Sequence, residues 1–585
     1  MPGAAVGSYL DRLLRPGRTD AREVLVDLAW IVGLGVLMMG AGLGLRDPWP
    51  ADEPRFALVA QDMLRSGDWV LPRVAGDLYA DKPPVYFWLM AASMAVTGSV
   101  RLGFLLPSLL AGVGTLLLVY DLLRRLRGRE VAMAGALVLL VTFQFVWQAR
   151  QAQIDATLCF LTTLSLYGLL RHLAAGPAFG WFLAGWAAAG LGVITKGVGF
   201  LPLLALAPWT WLAGRGWPAA ATQRDSRWLM GPACLLAAIG LWFLPMMLAT
   251  SAGGELLAYR QEILFHQTIT RYADAWHHRA PFWLYFAEVV PFMWLPLAGL
   301  LPWLAPRWLA AWRGRDTVTV VLLVWVLMVL LFFSASTGKR DVYVLPAVPA
   351  LAMAAAPWLP YLLRAQGPRR LAFGLAALLA AVAGGAAIYF AMNAVAEARV
   401  FSEFDVHPVM PLAVAAVGGA LALATLRVRE GWLAFGTVLA VYLLTIGLLV
   451  NPRMDGERSG RDFMARLEQS SAGVAELGLV SAKEQYLLQL RRPSFNFGHA
   501  RWREKAGEAD DAAAWLAARP GRALLVDEES RGLCFGAAQA TDLGRANGLR
   551  WYLVQGAGDP ACAARGNLAR ARFYVPPNAL VNTVS

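Results

Sequence analysis

Two carboxylates stand out because each lies beside a long apolar stretch of the chain. Asp52 belongs to the segment Asp47-Pro-Trp-Pro-Ala-Asp-Glu-Pro-Arg-Phe, and Asp155 ends Arg150-Gln-Ala-Gln-Ile-Asp at the start of another apolar run. An ionisable side chain at the edge of a membrane bundle is costly and is therefore a functional candidate by default. A positioned carboxylate can remove a proton from an attacking group. We predict that both residues take part in the chemistry of this chain.

Glu53 adjoins Asp52 but receives a different interpretation. Both residues precede Pro54, which is the arrangement of a helix N-cap followed by a first turn. We favour this structural role for Glu53. For Asp52 we favour a functional role, because other polar candidates are expected at the same membrane level.

The elements that position these residues are membrane helices. The 585-residue chain is 58% hydrophobic and only 16% charged, too apolar for the cores of a soluble protein of this length. Apolar runs of about 20 residues, enough to cross a bilayer, recur from Val24 to Val450, and charges are frequent thereafter. We expect a transmembrane catalytic domain over residues 1–450 and a soluble domain, called the tail, over residues 451–585.

The net charge of +12 follows a membrane pattern and not that of a nucleic-acid-binding protein. Arginines cluster between apolar runs, and such clusters mark cytoplasmic loops. With the basic N-terminus on the same side, they predict about thirteen spans and a tail outside the cytoplasm. The expected spans are residues 24–45, 101–123, 131–148, 156–174, 179–195, 198–214, 228–250, 283–305, 317–334, 341–363, 371–394, 408–426 and 432–450.

Residues 83–99 are apolar, yet counting them as a span would move the next arginine cluster outside. We therefore predict that Pro84–Thr97 is a helix in the outer interface, a depth that suits the aromatic residues Tyr86–Trp88. An ordinary span is the alternative, and it would invert the charge rule elsewhere. The outer loop Arg46–Lys82 and this helix make up residues 46–100, called the first loop.

The first loop also carries a family resemblance. Its stretch Asp52-Glu-Pro-Arg-Phe, followed by Gly67-Asp-Trp-Val and Tyr79-Ala-Asp-Lys-Pro-Pro, resembles the first outer loop of type C polyprenyl-phosphate-dependent glycosyltransferases, the superfamily of the protein O-mannosyltransferases. The closer resemblance is to the bacterial aminoarabinose lipid A transferase branch, whose loop ends in Asp-Lys-Pro-Pro or Glu-Lys-Pro-Pro. It covers the membrane region and is much weaker in the tail. It implies a polytopic α-helical fold of about thirteen transmembrane helices with a C-terminal soluble α/β domain.

The resemblance implies roles for individual residues. The catalytic carboxylates would be Asp52 and Asp155. The residues that hold the carrier phosphate would be Lys82, Arg271, Tyr343 and Lys196. The ligands of a divalent metal, zinc or another ion, would be Asp81 and His266. No other cofactor is implied.

Several of these residues have a structural alternative. Lys82 and Lys196 could anchor the protein at the interface through their long apolar stems. For Lys196 both interpretations stay open, whereas the adjacent Pro-Pro favours the phosphate role for Lys82. His266 is weak evidence alone, because most isolated histidines are not ligands. His277 and His278 fit a metal equally, or simply lie in the interface.

The chemistry of a carrier-linked sugar agrees with these roles. When the sugar leaves, its bonding electrons stay on the phosphate oxygen, where Lys82, Arg271 and Tyr343 would stabilise the growing negative charge. Asp52 would remove the proton of the acceptor. The family implies a single displacement, which inverts the anomeric centre.

The tail has the pattern of a small α/β domain, with short β-like runs and a helix between two of them. The expected elements are strands at 478–481, 522–527, 551–554 and 572–575 and a helix at 509–518. Cys159 and Cys234 fall within spans and are interpreted as packing residues. Because the tail is expected in an oxidising compartment, a disulfide between Cys534 and Cys562 is expected.

These expectations describe a multi-pass enzyme of the bacterial inner membrane with a periplasmic active site and tail. The leading hypothesis is transfer of 4-amino-4-deoxy-L-arabinose from undecaprenyl phosphate to lipid A, with membrane lipids as further partners and no nucleic acid. The alternative is transfer of another carrier-linked sugar to protein or another envelope glycan. A lipid or solute transporter is a different class. It predicts polar groups near mid-membrane and repeated halves, whereas the candidates here gather at one face.

Overall fold

The computed structural model describes residues 21–218, 225–251, 253–264, 279–498 and 504–576. Before Asn451, the described ranges form helices and their connecting loops, with one small hairpin, and a mixed sheet lies in the tail. The α-helices before the tail, numbered in chain order, are α1 (Ala21–Met39), α2 (Glu53–Ser66), α3 (Val85–Thr97), α4 (Val100–Gly103), α5 (Leu106–Arg127), α6 (Arg129–Leu140), α7 (Phe143–Gln148), α8 (Ile154–Leu173), α9 (Phe179–Lys196), α10 (Leu206–Gly214), α11 (Met230–Ala249), α12 (Glu255–Gln261), α13 (Leu301–Arg313), α14 (Thr317–Ala335), α15 (Ala347–Ala355), α16 (Leu359–Arg364), α17 (Gln366–Met392), α18 (Ala394–Phe404), α19 (Val409–Leu426) and α20 (Gly431–Thr445).

The polytopic helical architecture predicted from the apolar runs is confirmed. Within the described ranges, 7 helical stretches are long and apolar enough to cross a membrane, or 8 if one pair bent by 101° forms a single span. The stretches are Val100–Arg127, Ile154–Leu173, Ser226–Ala249, Thr317–Ala335, Gln366–Met392, Val409–Leu426 and Val428–Ser470, and the bent pair is Tyr285–Met293 with Ala298–Arg313.

The expected number of about thirteen spans stays a prediction, because several expected spans consist of shorter pieces. Residues 131–148 divide between α6 and α7, and at the break the Phe143 N–H donates to the Leu295 carbonyl oxygen at 2.9 Å. Residues 341–363 form a 3-10 turn, α15, a second 3-10 turn and most of α16. Prolines recur in that stretch, and proline removes a backbone donor from a helix.

The first loop folds as two packed helices joined by a small hairpin of β1 (Arg73–Val74) and β2 (Asp77–Leu78). The predicted helix at Pro84–Thr97 is present as α3, which has 13 residues. The next residue, Gly98, caps the helix in the left-handed region, with φ of 61°. Tyr86 and Phe87 are fully buried and pack on Phe56 of α2, with ring centroids 5.7 and 5.5 Å apart. Helix α2 therefore covers these two aromatic residues, and the location of α3 in the outer interface stays a prediction.

The tail contains a 6-stranded sheet in the order β6-β7-β5-β3-β4-β8. Strand β3 runs parallel to β4 and β5, and the other pairs are antiparallel. The strands are β3 (Glu476–Leu479), β4 (Ser494–Asn496), β5 (Arg522–Asp527), β6 (Gln539–Ala546), β7 (Leu549–Gln555) and β8 (Arg572–Tyr574). The helices are α21 (Asn451–Arg458), α22 (Arg461–Ser470), α23 (Glu484–Gln489), α24 (Lys505–Ala517), α25 (Glu528–Cys534) and α26 (Pro560–Arg565).

The four expected strands correspond to β3, β5, β7 and β8, and the expected helix corresponds to α24. Sequence reasoning missed β4, which has only three residues, and β6, an edge strand with only two buried residues. The expected disulfide between Cys534 and Cys562 is present and joins α25 to α26. Cys159 is a buried free thiol, and Cys234 is a partly buried one.

The first loop and the tail share one hydrophobic core. Side chains of α2 and α3 pack in the same cluster as α22, α23 and one face of the sheet. Its large members include Phe56, Tyr86, Phe87, Phe463, Tyr486, Trp551 and Tyr574. The division of the chain at residue 450 stays a prediction, and the packing runs across it.

Candidate active site

Asp155 and Lys196 meet because of how α8 and α9 are connected. Asp155 lies in the first turn of α8, and Lys196 is the last residue of α9. A short connection joins the other ends of these two packed helices, so the start of α8 lies beside the end of α9. The Lys196 ammonium forms an ion pair with the Asp155 carboxylate, and both side chains are largely buried. Its Nζ also lies 4.6 Å from the ring centroid of Tyr343. Lys196 therefore contacts two other predicted site residues.

The close packing of α8 on α9 depends on two glycines that face each other. A Cβ atom added to Gly168 would overlap the Trp181 carbonyl oxygen, and one added to Gly185 would lie 2.9 Å from the Ser165 carbonyl oxygen. Any larger residue would force the helices apart. The Asp155–Lys196 contact thus rests on small residues elsewhere on the same two helices.

Asp52 joins this group through Arg340, a residue that the sequence analysis did not select. Asp52 is the N-cap of α2, but its carboxylate makes no side-chain capping bond. Its Oδ2 lies 3.6 Å from the Arg340 guanidinium. Arg340 immediately precedes the 3-10 turn Asp341–Val344, which carries Tyr343. A signal was present in the sequence, since Arg340 is a basic residue in a loop predicted to lie outside, against the usual charge bias.

Buried polar contacts hold that turn in place. The Gln144 amide donates to the Asp341 carbonyl oxygen at 2.7 Å and accepts the Trp294 indole N–H at 2.6 Å. The Tyr285 hydroxyl donates to the Arg340 carbonyl oxygen at 3.2 Å. Arg340 and Tyr343 are therefore presented from a fixed backbone, one toward Asp52 and the other toward Lys196.

Glu53 lies in the first turn of α2 as expected, but its role is larger than that of a first-turn carboxylate. Its buried carboxylate binds both terminal nitrogens of Arg46 and accepts the Trp49 N–H at 2.9 Å. It also accepts the Ala152 N–H at 3.0 Å. Glu53 thereby ties the first loop to the segment that ends in Asp155.

Asp81 and Lys82 lie in a second group at the end of the outer loop, around Arg55. The Lys82 ammonium donates to the Asp81 carbonyl oxygen at 3.0 Å, and the Asp81 carboxylate lies 3.8 Å from Arg55. Tyr79 packs in the buried core of the first loop, and burial raises the pKa of its hydroxyl well above the usual value. This phenol therefore stays protonated.

The remaining predicted residues, His266 and Arg271, lie outside the described residues, as do His277 and His278. In the described part of the chain, Asp81 belongs to no cluster of metal-ligating side chains. It stands instead beside the cation Arg55, which disfavours a second cation. His266, the predicted partner of Asp81, lies outside the described residues, so the predicted metal site stays a prediction.

An open groove lies beside Arg340. Its apolar lining consists of Leu284, Val289, Phe292 and Met293, and its charged lining consists of Glu288, Lys339, Arg340 and Asp341. Lys339 is buried, and its ammonium donates to the carbonyl oxygens of Ala280, at 3.0 Å, and Ser336. Apolar walls with charged groups at the site suit an amphiphilic ligand.

Comparison with known proteins identifies relatives of this chain. Residues 81–247 match the family model described as dolichyl-phosphate-mannose-protein mannosyltransferase. The undecaprenyl phosphate-alpha-4-amino-4-deoxy-L-arabinose arabinosyl transferase 2 of Pseudomonas fluorescens (strain Pf0-1) is 32% identical over 439 residues, which cover 72% of this chain and 76% of that protein. The corresponding transferase of Pseudomonas aeruginosa (strain UCBPP-PA14) is 36% identical over 318 residues, 52% of this chain and 54% of that protein.

The fold has a solved counterpart. The crystal structure of ArnT from Cupriavidus metallidurans bound to undecaprenyl phosphate superposes with a TM-score of 0.73, covering 92% of this chain and 98% of that one. At 22% sequence identity this likeness is one of fold. The identity and coverage of the Pseudomonas fluorescens relative, together with the shared fold, show that the chain belongs to the undecaprenyl phosphate-aminoarabinose arabinosyl transferase family of membrane glycosyltransferases.

Proposed function

We propose that this protein transfers 4-amino-4-deoxy-L-arabinose from undecaprenyl phosphate to lipid A, at the periplasmic face of the bacterial inner membrane. The observation that carries the proposal is the 3-10 turn that presents Arg340 to Asp52 and Tyr343 to Lys196 and, through it, Asp155. Two carboxylates and two cations around one fixed turn supply both a base and a binding site for an anion. The names of the relatives supply the sugar and the carrier.

In the proposed reaction, Asp52 acts on the acceptor. Its carboxylate makes no side-chain capping bond, so it can accept the proton of an attacking hydroxyl. Arg340, 3.6 Å away, keeps the carboxylate oriented. The acceptor oxygen attacks the anomeric carbon as the bond from that carbon to the phosphate oxygen breaks, and its proton passes to Asp52.

The leaving phosphate receives the bonding electrons of the broken bond. Lys82, Arg271 and Tyr343 stabilise this charge in the proposal, since charge-assisted hydrogen bonds are the strong ones. Lys196 lies against the Tyr343 ring and is paired with Asp155. Asp155 therefore orients the lysine, and its loss disturbs the phosphate site as well as the fold. The groove beside Arg340 has the apolar wall that a lipid substrate requires.

The test is transfer by the purified protein from undecaprenyl-phosphate aminoarabinose to lipid A, followed by mass spectrometry of the products. Asp52→Asn removes the base without changing its shape and should lower turnover by about 10²- to 10⁴-fold. The matched control is Asp68→Asn in the same loop, because its oxygen still accepts the backbone N–H groups of Val70 and Leu71. Near wild-type turnover by Asp52→Asn would remove Asp52 from the reaction.

The same assay separates the acceptors. Envelope proteins and other glycans are offered in parallel, and cells with and without the gene are compared for modified lipid A. A protein or a different glycan modified in place of lipid A would support the alternative acceptor class. A wild-type protein that consumes no aminoarabinose donor would contradict the proposed sugar.

A further inference from the structure

An ion pair joins the tail to the candidate active site. Glu484, the first residue of α23, accepts a hydrogen bond at 2.8 Å from Nε of Arg55, which lies on α2. The two side chains are 14% and 26% exposed, so this contact is largely withdrawn from water. Ion pairs of this kind are strongly sensitive to loss of one partner, unlike those on an open surface.

Arg55 extends the contact toward the site. It lies on α2, three residues after Asp52, the N-cap of that helix. Its Nη1 is 3.8 Å from the Asp81 carboxylate, and the Tyr79 hydroxyl is a further partner. Burial lowers the pKa of Arg55, but Glu484 and Tyr79 outweigh that effect, and the net pKa is raised. The guanidinium is therefore charged and held between the tail and the segment 79–82.

The helix that carries Glu484 is itself fixed at both ends. At its last residue the Gln489 amide donates to the Asp47 carboxylate at 3.2 Å. Tyr486 is fully buried, with ring centroids 4.9 Å from Phe463 and 5.3 Å from Trp551. This 6-residue helix thus reaches the first loop through both ends, and its middle lies in the core that the loop and the tail share.

We propose that Glu484 is a positioning residue for glycosyl transfer. Through Glu484, the tail determines the position of Lys82 at the carrier phosphate. Glu484 holds Arg55 away from full pairing with Asp81, and Asp81 precedes Lys82 directly. When Glu484 is replaced by a neutral residue, Arg55 pairs more closely with Asp81 and the segment 79–82 shifts. This inference rests on the proposed function, in which Lys82 binds the phosphate of the donor.

The experiment compares Glu484→Gln with Glu476→Gln in the full-length protein. Glu476 also lies in the tail and pairs with an arginine, Arg522, at 2.6 Å, but within the tail. Glu484→Gln should raise the KM for the carrier-linked donor by about tenfold or more, because small displacements of a binding group are costly. Backbone hydrogen exchange of residues 79–82 should rise in the same variant. Glu476→Gln should change neither quantity.

A double-mutant cycle tests the route through Arg55. If Glu484 acts through Arg55, the donor KM of Glu484→Gln/Arg55→Gln should match that of Arg55→Gln alone, because the two residues share one interaction. If the effects of the two substitutions on the donor KM multiply, the inference is overturned. It is also overturned if Glu484→Gln changes neither the donor KM nor the hydrogen exchange of residues 79–82. Failure of the proposed function gives a different result, because the wild-type protein then transfers no sugar. In that case, hydrogen exchange of the wild type and of Glu484→Gln still tests whether the Arg55–Glu484 contact holds the segment 79–82 in place.

Discussion

At the scale of single residues, Lys196 and Asp155 form a largely buried ion pair. The sequence left Lys196 open between an interfacial anchor and a phosphate-binding lysine. The structure places it against a largely buried carboxylate and over the Tyr343 ring. A cation in that position is not a free anchor, because its charge is balanced inside the protein. How readily the Lys196 ammonium could bind a phosphate therefore depends on the strength of its ion pair with Asp155.

Removing one partner of this pair should destabilise the protein more than removing both. Lys196→Met or Asp155→Asn alone leaves a buried charge without its counter-charge, which costs about 3–5 kcal/mol. The double variant removes both charges and should recover much of that loss. Thermal unfolding of the purified proteins in one detergent measures the three differences. Additive losses in the double variant would show that the two side chains do not interact.

At the scale of elements, one carboxylate links the first loop to α8. Glu53 begins α2 and accepts the N–H of Ala152, three residues before Asp155. Arg150, in the same segment, donates to the carbonyl oxygens of Met38, Ala41 and Leu443 at 2.5, 3.1 and 2.9 Å. The segment 150–155, which ends in Asp155, is therefore tied by hydrogen bonds to α1, α2 and α20. Its position depends on these three elements.

Glu53→Gln should lower both stability and transfer. Arg46 is almost fully buried beside this carboxylate, so neutralising Glu53 leaves its charge uncompensated, at about 3–5 kcal/mol. The control is Glu130→Gln, whose pair with Arg364 at 2.5 Å is about one-third exposed on both sides and is worth about 0–1 kcal/mol. Unfolding temperature and donor turnover are measured for both variants. Equal, small effects would mean that Glu53 is no more than a first-turn residue.

At the scale of the whole molecule, the first loop and the tail must lie on the same side of the membrane, and the candidate site lies there with them. Their common core and the contacts of Arg55 with Glu484 and of Asp47 with Gln489 require both on one side. The arginine clusters predict that this is the non-cytoplasmic side.

Cysteine labelling in intact cells tests that orientation. Cysteines at the exposed positions Ser66, in the first loop, and Ala518, in the tail, should react with a membrane-impermeant maleimide from outside. A cysteine at Gly214, exposed at the end of α10 beside a predicted cytoplasmic cluster, should react only after permeabilisation. Labelling of Gly214 from outside, with protection of Ser66 and Ala518, would invert the predicted topology.

The sequence alone determined the class of this protein, because the signals involved are local. Apolar runs long enough to cross a bilayer indicated a polytopic membrane protein, and the first-loop motif from Asp52 to Pro84 indicated the glycosyltransferase family. Short strands in the tail could also be predicted where apolar residues clustered, as in β5 and β7. The edge strand β6 could not, since only two of its eight residues are buried and it lies at the end of the sheet beside β7.

Only the tertiary structure decided which residues act on one another. Lys196 pairs with Asp155 across 41 residues, and Arg55 with Glu484 across 429. No local pattern records such contacts, because they follow from how α8 packs on α9 and how the tail sheet covers the first loop. The same packing buries Tyr86 and Phe87 against α2, a contact that the sequence did not predict. Composition and spacing determine which segments enter the membrane, whereas long-range packing determines the partner of each charge.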